Sequence, residues 1–449
     1  DGNNVLEVIR TIRKITKEIR KNPKPVLLEA MTFRVRGHEE SSGTKYYPEG
    51  IQDEWAIKDP LSNYEMFLKE EGILTDEIES EYRKELKEHI QSSFDTAQNE
   101  PLITSDEGKE EADVFAPYIQ NVIEGKGDKK EIRFIDAIQQ SLNQSMERYP
   151  GLVLMGQDIA EYGGAFKVTE GLVDKFGKGR VRNTPLCESA IVGAGLGLSI
   201  KGMKAMVEMQ FADFVTCGFN QIINNLAKIH WRWGQNADVV VRMPTGAGTA
   251  AGPFHSQSNE AWFFHTPGLK ILYPSNPTDA KGLLNAAIED PNPVLFFEHK
   301  YLYRSLKEEV PEAYYTTEIG KANVVSTGDD LTIITYGLGV HWAVEEMKNR
   351  PDIQAEIIDL RSLVPLDTET IFASVKKTGR AVVLHEDCIS GGIGGEINAL
   401  ITEHCFEFLD APVLRVGSLN SPVPFAATIE AIFLPQDRFT KAVDQLLNY

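Results

Sequence analysis

Apolar residues in the first hundred positions follow two different spacings. From Val5 to Ile19 they return every three or four residues, which predicts an amphipathic helix. The mostly apolar run at residues 26–33, which follows Pro25, predicts a strand. Residues 78–90 show helical spacing again, with charged residues on the other face. From residue 99 to residue 130 charges dominate and the pattern fades, so this stretch predicts a linker or a domain boundary.

From residue 131 onwards, short apolar runs alternate with amphipathic stretches. The runs predict strands, and the stretches between them predict helices, among them 215–233 and 278–288. A charged, irregular break around residues 303–319 separates two such alternating parts. This order favours an α/β protein whose mostly parallel sheets are covered by helices. The predicted strands are 152–155, 206–209, 239–243, 271–273, 294–298, 331–336, 354–359, 381–385 and 413–416.

The composition is that of a globular protein with several domains. The chain has 449 residues, of which 42% are hydrophobic and 25% are charged. Disordered, collagen-like and membrane-spanning classes are therefore disfavoured. Lys and Arg number 46 against 66 Asp and Glu, which leaves a net charge of −20. This balance argues against a nucleic-acid-binding surface, which needs clustered Lys and Arg, and it suits a basic protein partner.

Features that report on the compartment favour the cytoplasm. No apolar run approaches the ~20 residues that cross a bilayer. The first residues run directly into a helix pattern instead of a signal peptide. The cysteines lie far apart and predict reduced thiols, neither a disulfide framework nor a zinc site. They are Cys187, Cys217, Cys388 and Cys405.

Short glycine-containing motifs could bind a phosphate or a metal, and each also has a structural interpretation. Residues 246–251 match a loose dinucleotide fingerprint after a strand, but no helix opens there and no acidic residue follows about 20 positions later. Residues 391–395 are more typical of a tight turn from strand to helix. The glycines within 193–197 indicate close packing of a helix or a strand. Asp1-Gly2-Asn3 resembles part of a metal-diphosphate signature, although alone it is a common turn and helix cap.

Two histidines and one glutamate are the candidate functional side chains. His38 lies on a polar loop rich in arginine, where it could grip an anion or simply be solvated. His255 follows a predicted buried strand, where sites of parallel sheets are found, although a lone histidine is often structural. Glu188 directly precedes an apolar, glycine-rich run. Burial there would let its carboxyl hold a proton, but a glutamate at a helix amino terminus is equally consistent with the pattern.

Taken together, long stretches of the chain resemble the thiamine-dependent decarboxylating component of 2-oxoacid dehydrogenase complexes. Residues 1 to about 110 resemble the carboxyl-terminal third of its alpha subunit, through 25–34 and the Gly37-His38 pair. Residues from about 131 to 449 resemble a complete beta subunit. The stretches that carry this second resemblance are 160–169, 183–188, 210–214, 254–258, 267–270 and 421–425.

The resemblance implies an α/β architecture of parallel sheets flanked by helices. The expected parts are an alpha-type diphosphate domain over 1–115, a linker over 116–130, a pyrimidine-binding domain with the thiamin-diphosphate-binding fold over 131–308, and a transketolase carboxyl-terminal-like domain over 309–449. The chain is thus expected to be a natural fusion of alpha and beta subunits. Since position 1 is not Met, we also expect the alpha part to be truncated at its amino terminus.

The resemblance also implies roles for individual residues. Glu188 matches the glutamate that hydrogen-bonds the aminopyrimidine ring of thiamine diphosphate and so promotes loss of the thiazolium proton. His255 matches a histidine that transfers protons during acylation of a lipoyl group. His38 matches the alpha-side active-site histidine, with Arg36 beside it for an anionic substrate. The cofactor pocket is expected to be completed by Leu186, Gln210 and Phe214.

Two departures from the family pattern limit these expectations. Glu39 stands directly after His38, where animal relatives carry a phosphorylatable serine, so control by a kinase at that position is doubtful, although Ser41 and Ser42 are near. The Gly-Asp-Gly motif with a downstream Asn, which binds magnesium and the diphosphate, is absent. We expect the magnesium ligands in an amino-terminal part that this chain lacks. A monovalent cation is a further candidate ligand.

The expected activity is oxidative decarboxylation of a 2-oxo acid with transfer of the acyl group to a lipoyl acyltransferase partner. The amino-acid sequences of three segments resemble the branched-chain type more than the pyruvate type. These segments are 183–188, 210–214 and 255–258. A dimer of fused chains is expected, equivalent to two alphas and two betas. The alternatives are a pyruvate or acetoin dehydrogenase component, a transketolase-like synthase, and a chain that only docks on the acyltransferase core without holding cofactor.

Overall fold

The computed structural model describes residues 1–39 and 41–449 and divides the chain into two compact units, residues 1–104 and 105–449. The first unit is helical, and none of its described residues is fully buried. The predicted helices are confirmed at Val5–Ile19 and, over a longer span, at Asp76–Asn99. In chain order its helices are α1 (Val5–Ile19), α2 (Ile51–Ala56), α3 (Pro60–Glu70) and α4 (Asp76–Asn99).

The strand predicted at residues 26–33 is wrong. This segment joins no sheet among the described residues, and Leu27 is 97% exposed. The Gly2 amide donates a backbone hydrogen bond to the Met31 carbonyl at 2.8 Å. A strand requires a neighbour to pair its amides and carbonyls, so apolar composition alone did not make one here.

The second unit alternates strands and helices as predicted. Its strands are β1 (Lys129–Arg133), β2 (Leu152–Gly156), β3 (Val181–Asn183), β4 (Lys204–Glu208), β5 (Val239–Thr245), β6 (Lys270–Leu272), β7 (Val294–His299), β8 (Lys307–Pro311), β9 (Asn323–Ser326), β10 (Leu331–Thr335), β11 (Ala355–Asp359), β12 (Ser362–Val364), β13 (Ala381–Cys388) and β14 (Leu414–Ser418). Its helices are α5 (Glu107–Ala112), α6 (Phe134–Arg148), α7 (Leu172–Phe176), α8 (Glu188–Ile200), α9 (Ile229–Trp233), α10 (Ala261–Phe264), α11 (Pro277–Glu289), α12 (Leu302–Ser305), α13 (Leu338–Lys348), α14 (Thr368–Thr378), α15 (Gly394–Cys405), α16 (Ala427–Phe433) and α17 (Gln436–Leu447).

The strands form two large sheets and one small ribbon. The first sheet has the order β12-β6-β7-β5-β4-β2-β3 and is parallel except for β12. The second has the order β14-β13-β10-β11-β9 and is parallel except for β9. Strands β1 and β8 pair antiparallel. The α/β class with mostly parallel sheets is therefore confirmed.

The central strands are buried on both faces, as parallel strands covered by helices must be. Every residue of β2, β5, β7 and β10 is buried. On one side α11 packs on α6, where Asn285 accepts hydrogen bonds from Ser141 at 2.7 Å and Ser145 at 3.1 Å. These bonds satisfy polar groups that would otherwise be costly to bury.

The glycine-rich run after residue 188 is the helix α8, and it lies close to the first sheet. A Cβ atom on Gly195 would stand 3.1 Å from a methyl carbon of Val207 in β4. Glycine therefore permits this close approach of helix and sheet.

The prediction of one continuous helix over residues 215–233 is wrong. The segment is broken into a 3₁₀ turn at Ala212–Gly218, a π-helical turn at Gln221–Leu226 and α9. The 3₁₀ turn packs against α8 and carries Phe214. In the part of the chain described here, no helix is long and apolar enough to cross a membrane.

Candidate active site

Four neighbouring parallel strands of the first sheet end at the same edge, and the segments that follow them form one site. Strand β2 is followed by Gln157, β3 by the segment that leads to Glu188, β4 by Gln210 and β5 by the loop that carries His255. Carboxyl ends of parallel strands are the usual place for ligand sites, because the loops there converge. The fold therefore brings together predicted site residues that are far apart in sequence.

Glu188 is the first residue of α8, and its side chain is only 7% exposed. The amide Nε2 of Gln157 donates a hydrogen bond to its Oε1 at 3.0 Å. The helix amino terminus favours a negative charge at this position. Both interpretations of the sequence therefore apply at once, since Glu188 is a glutamate at a helix start and also a nearly buried carboxylate at the sheet edge.

Gln210 lies close to the same group of atoms. Its amide Nε2 is 3.3 Å from Oδ2 of Asp158 and 3.5 Å from the carbonyl of Gln157. Gln157 thus links Glu188 on one side to Gln210 on the other. Leu186, two residues before Glu188, is 82% exposed and makes the rim of this edge rather than its floor.

An aromatic cluster surrounds His255. The ring centroids of His255 and Phe211 are 4.7 Å apart, and those of His255 and Phe214 are 5.7 Å apart, both in edge-to-face geometry. Phe211 also packs edge-on against Phe166 at 5.3 Å. The structure therefore places the predicted residues His255 and Phe214 in direct contact, within a wall of rings that restricts the histidine's orientation.

The loop that carries His255 is fastened at Gln257. The buried Asp213 accepts hydrogen bonds from the Gln257 backbone amide at 3.2 Å and from its side-chain amide at 2.9 Å. The Thr245 hydroxyl donates to the Gln257 carbonyl at 2.8 Å. The 3₁₀ turn that presents Phe214 and the loop that presents His255 are thus joined by one carboxylate.

Two glutamates from the later part of the chain hold the beginning of this loop. Glu386 accepts from the Ala247 amide and lies 2.6 Å from Nε2 of His299, and Glu430 accepts from the Gly248 amide at 3.0 Å. Burial opposes ionisation of Glu386, but His299 and the Ala247 amide outweigh it and lower its pKa. Gly246 turns above this pair with φ of 92°, and a Cβ there would collide with the His299 ring.

Further titratable groups are buried beneath the loop. Burial raises the pKa of Glu260, which is fully enclosed and accepts a 2.7 Å bond from the Tyr336 hydroxyl. Burial, together with the nearby Glu386, also raises the pKa of Asp387. Burial lowers the pKa of Lys300 to about 8, and its ammonium donates to the Gly246 carbonyl. The loop therefore rests on titratable groups that face little water, and burial disfavours the charged form of each.

His38 and Arg36 belong to the first unit and are both exposed. The Tyr47 hydroxyl lies 2.8 Å from the Arg34 and Arg36 carbonyls, and Gln52 donates to the Val35 carbonyl at 3.0 Å. These contacts shape the backbone that leads to His38. The grouping of His38 and Arg36 with the residues around Glu188 stays a prediction.

Sequence reasoning missed Gln157, Phe211 and Asp213. Gln157 carries a usable signal, because it lies two residues after the strand predicted at 152–155, whose carboxyl end lies at the site edge. Phe211 and Asp213 lie between two predicted site residues on one short turn. Glu386 and Glu430 have no local signal, since their contacts with the loop span about 140 and 180 positions.

Comparisons with known proteins agree with this architecture. Residues 1–105 match the family described as "Dehydrogenase E1 component", residues 130–305 match "Transketolase, pyrimidine binding domain", and residues 320–438 match "Transketolase, C-terminal domain". Among solved structures, the chain is similar to a "Split gene transketolase, inactive beta4 tetramer", with a TM-score of 0.57 and 25% identity, over 71% of this chain and 98% of that one.

Relatives with higher identity are beta subunits of 2-oxoacid dehydrogenases. The "2-oxoisovalerate dehydrogenase subunit beta" of Bacillus subtilis is 46% identical over 322 residues, which is 70% of this chain and 98% of that protein. The "2-oxoisovalerate dehydrogenase subunit beta 2, mitochondrial" of Arabidopsis thaliana is 41% identical over 74% of this chain and 92% of that protein. The "Pyruvate dehydrogenase E1 component subunit beta-2, chloroplastic" of the same plant is 40% identical over 70% and 79%. The chain therefore belongs to the thiamine-diphosphate-dependent family of 2-oxoacid dehydrogenase E1 components, and it joins an alpha-type segment to a beta-type segment in one polypeptide.

Proposed function

We propose that this protein decarboxylates a branched-chain 2-oxo acid and passes the acyl group to a lipoyl group of an acyltransferase partner. The observation that carries the proposal is the nearly buried Glu188 carboxylate at the sheet edge, beside Gln157 and on the same edge as the His255–Phe214 contact. The similarity to proteins named as 2-oxoisovalerate dehydrogenase beta subunits supports the branched-chain preference.

The residues at the sheet edge fit the aminopyrimidine end of thiamine diphosphate. A ring with amino and ring-nitrogen groups needs a carboxylate partner and an aromatic wall, and Glu188 and Phe214 supply these. When bound, the cofactor supplies the electron sink for decarboxylation. We infer that Glu188 holds a proton between its carboxylate and the ring nitrogen, while Gln210 and Leu186 complete the pocket.

A magnesium site has no such support in the described part of the chain. No group of three or more His, Cys, Asp or Glu side chains there is arranged to hold a metal ion. We therefore derive no step that runs through magnesium or through a monovalent cation. Both stay expectations from the family resemblance.

His255 is proposed to move protons while the acyl group passes to the lipoyl dithiolane. A neutral imidazole can accept a proton and an imidazolium can return it near neutral pH. The Phe211 and Phe214 rings fix the plane of the imidazole, and the clamp between Asp213 and Gln257 fixes the loop. His38 and Arg36 are proposed to grip the substrate carboxylate from the alpha-type segment.

We propose that a dimer of fused chains binds the acyltransferase component as its partner. The net charge of −20 and the pI near 5.0 suit a basic docking domain, because opposite charges speed encounter. Pyruvate is the second candidate substrate, since a relative named as a pyruvate dehydrogenase component is 40% identical to the chain.

A panel of 2-oxo acids tests the substrate proposal. We expect kcat/KM for 3-methyl-2-oxobutanoate to exceed that for pyruvate by about 10-fold or more, since an apolar pocket rewards extra methyl groups by about 1–3 kcal/mol. The measurement is decarboxylation with an artificial electron acceptor, in the presence of thiamine diphosphate and magnesium. A preference for pyruvate would replace the branched-chain assignment. Reduction of the acceptor with acetoin, added as a separate substrate, and with none of the 2-oxo acids would move the chain to another enzyme type.

The His255→Ala variant tests the acyl-transfer role. We expect reductive acylation of a lipoyl domain to fall by about 10²-fold or more, the usual contribution of a general acid–base group, while decarboxylation with an artificial acceptor falls much less. The exposed histidine variant His89→Ala serves as the control and should leave both assays unchanged. Equal losses in the two assays for His255→Ala would instead indicate a structural role.

A further inference from the structure

The Glu188 carboxylate has one side-chain donor among the described residues, and that donor is a neutral amide. Gln157 lies at the carboxyl end of β2, is 6% exposed, and donates through Nε2 to Glu188 Oε1 at 3.0 Å. Its backbone carbonyl faces the Gln210 amide at 3.5 Å. Gln157 thus lies between two proposed cofactor residues, Glu188 and Gln210. Its side-chain amide donates to Glu188, and its backbone carbonyl faces Gln210.

Nearby titratable groups on the packed elements are engaged elsewhere or lie outside hydrogen-bond contact with Glu188. In the described chain, Glu188 takes part in no ion pair. The end of β4 carries Glu208, which is paired with Arg242, and Asp213 on the 3₁₀ turn accepts from Gln257. Lys204 at the start of β4 is paired with Asp238 at 2.7 Å. Other titratable groups near the helix start are Asp158, Cys187 and Cys217.

We propose that Gln157 is a positioning residue whose neutral amide holds Oε1 of Glu188, so that Glu188 is the only carboxyl at this contact. The inference rests on the proposed function, because it concerns the carboxyl that is to hold the cofactor's proton. An amide donor stabilises the carboxylate form without offering a proton of its own. A carboxyl at position 157 would instead share one proton with Glu188, and the pair would titrate in two steps.

This arrangement has a consequence for the proposed chemistry. Glu188 must give up and regain a proton at one oxygen in each cycle. With Gln157 on Oε1, the other oxygen, Oε2, is the one left for the ring nitrogen of a bound pyrimidine. Gln157 thereby selects which oxygen reacts and keeps the proton on one residue.

The test is a direct titration of Glu188 in the full chain without cofactor. Glutamate labelled with ¹³C at the side-chain carboxyl is incorporated, and the Glu188 signal is assigned as the one that Glu188→Gln removes. The chain is then titrated from about pH 4 to about pH 9, which brackets ordinary and shifted carboxyl groups. We expect one titration step in the unmodified chain. In Gln157→Glu we expect two steps, with the upper midpoint raised by at least ~1 pH unit, a tenfold change in proton affinity.

Two further variants separate positioning from packing. Gln157→Met keeps the side-chain length but removes the donor, and we expect one step with a midpoint raised by a smaller amount. Gln436→Glu makes the same charge change at an exposed position of α17 and should leave the Glu188 midpoint in place. Circular dichroism of each variant checks that the fold is retained.

An unchanged Glu188 midpoint in both Gln157→Glu and Gln157→Met would overturn the proposal. The titration needs no cofactor and no turnover, so this outcome is distinct from a failure of the proposed function. Loss of the enzymatic assignment would appear in the substrate panel, whereas loss of the positioning role would appear only in the titration.

Discussion

The Glu188→Gln variant is expected to lose decarboxylation by about 10²–10⁴-fold in kcat while keeping its fold. A positioned acid–base group contributes about this much to a proton transfer. The amide replaces a nearly buried carboxylate of the same shape at the first residue of α8, so packing is preserved while the proton site is removed. The measurement is turnover of the preferred 2-oxo acid with an artificial electron acceptor and saturating thiamine diphosphate and magnesium.

The matched control for this variant is Glu170→Gln, which makes the same change at an exposed position of the same unit. It should retain turnover within about twofold, because an exposed charge of this kind contributes little. Retained turnover in Glu188→Gln would remove Glu188 from the mechanism. Affinity for thiamine diphosphate, measured by calorimetry on both variants, then separates loss of proton transfer from loss of binding.

The parts of the fold that the sequence predicts are those that depend on local pattern. Buried parallel strands such as β5 and β7 are short apolar runs, and helices such as α11 carry the 3.6-residue period. The placement of Gln210 and His255 at one edge also follows from the pattern, because each lies after a predicted strand. The short strand β3 that leads to Glu188 was not predicted. The order of the strands within each sheet could not be predicted from the hydrophobic pattern, because it depends on contacts between residues that are distant in the sequence.

The errors have physical causes that a local pattern does not contain. Residues 26–33 have strand-like composition, but no described strand pairs with them. Residues 215–233 were predicted as one helix, but the segment that contains them changes from 3₁₀ to π to α geometry. Glu386 and Glu430 hold the loop of His255, although each is more than a hundred residues away in the sequence. No local sequence motif predicts such a contact.

A second large effect is expected at Arg242, which is fully buried in β5 between two carboxylates. It pairs with Glu208 through Nη1 and with Glu298 through Nε and Nη2, and the Tyr303 hydroxyl donates to Glu298 at 2.6 Å. Burial raises the pKa of Glu208, and the Arg242 charge opposes this shift. The three charges lie on adjacent strands, so they hold the middle of the first sheet beneath the site.

The Arg242→Met variant is expected to lower the free energy of unfolding of the second unit by about 3–5 kcal/mol at neutral pH. Removing one partner leaves two buried carboxylates without compensation, and this costs more than the intact pair contributes. The loss should be smaller near pH 5 than near pH 8. Burial already raises the pKa of Glu208, and the variant removes the Arg242 charge that opposes this shift. The folded variant therefore keeps a proton on Glu208 that the unfolded chain releases, and stability falls as pH rises through that window.

Urea unfolding of both chains at the two pH values measures this effect, with the midpoint as the readout. The control is Arg350→Met, because Arg350 is 20% exposed and pairs with Glu346 and Asp444 at the surface of the same unit. Surface pairs of this kind contribute about 0–1 kcal/mol, so this variant should change the midpoint little and without a steep pH dependence. If Arg242→Met lost no more than Arg350→Met, the buried carboxylates would have to be protonated in the native chain at neutral pH. The ionic link across β4, β5 and β7 would then not hold the sheet beneath Glu188.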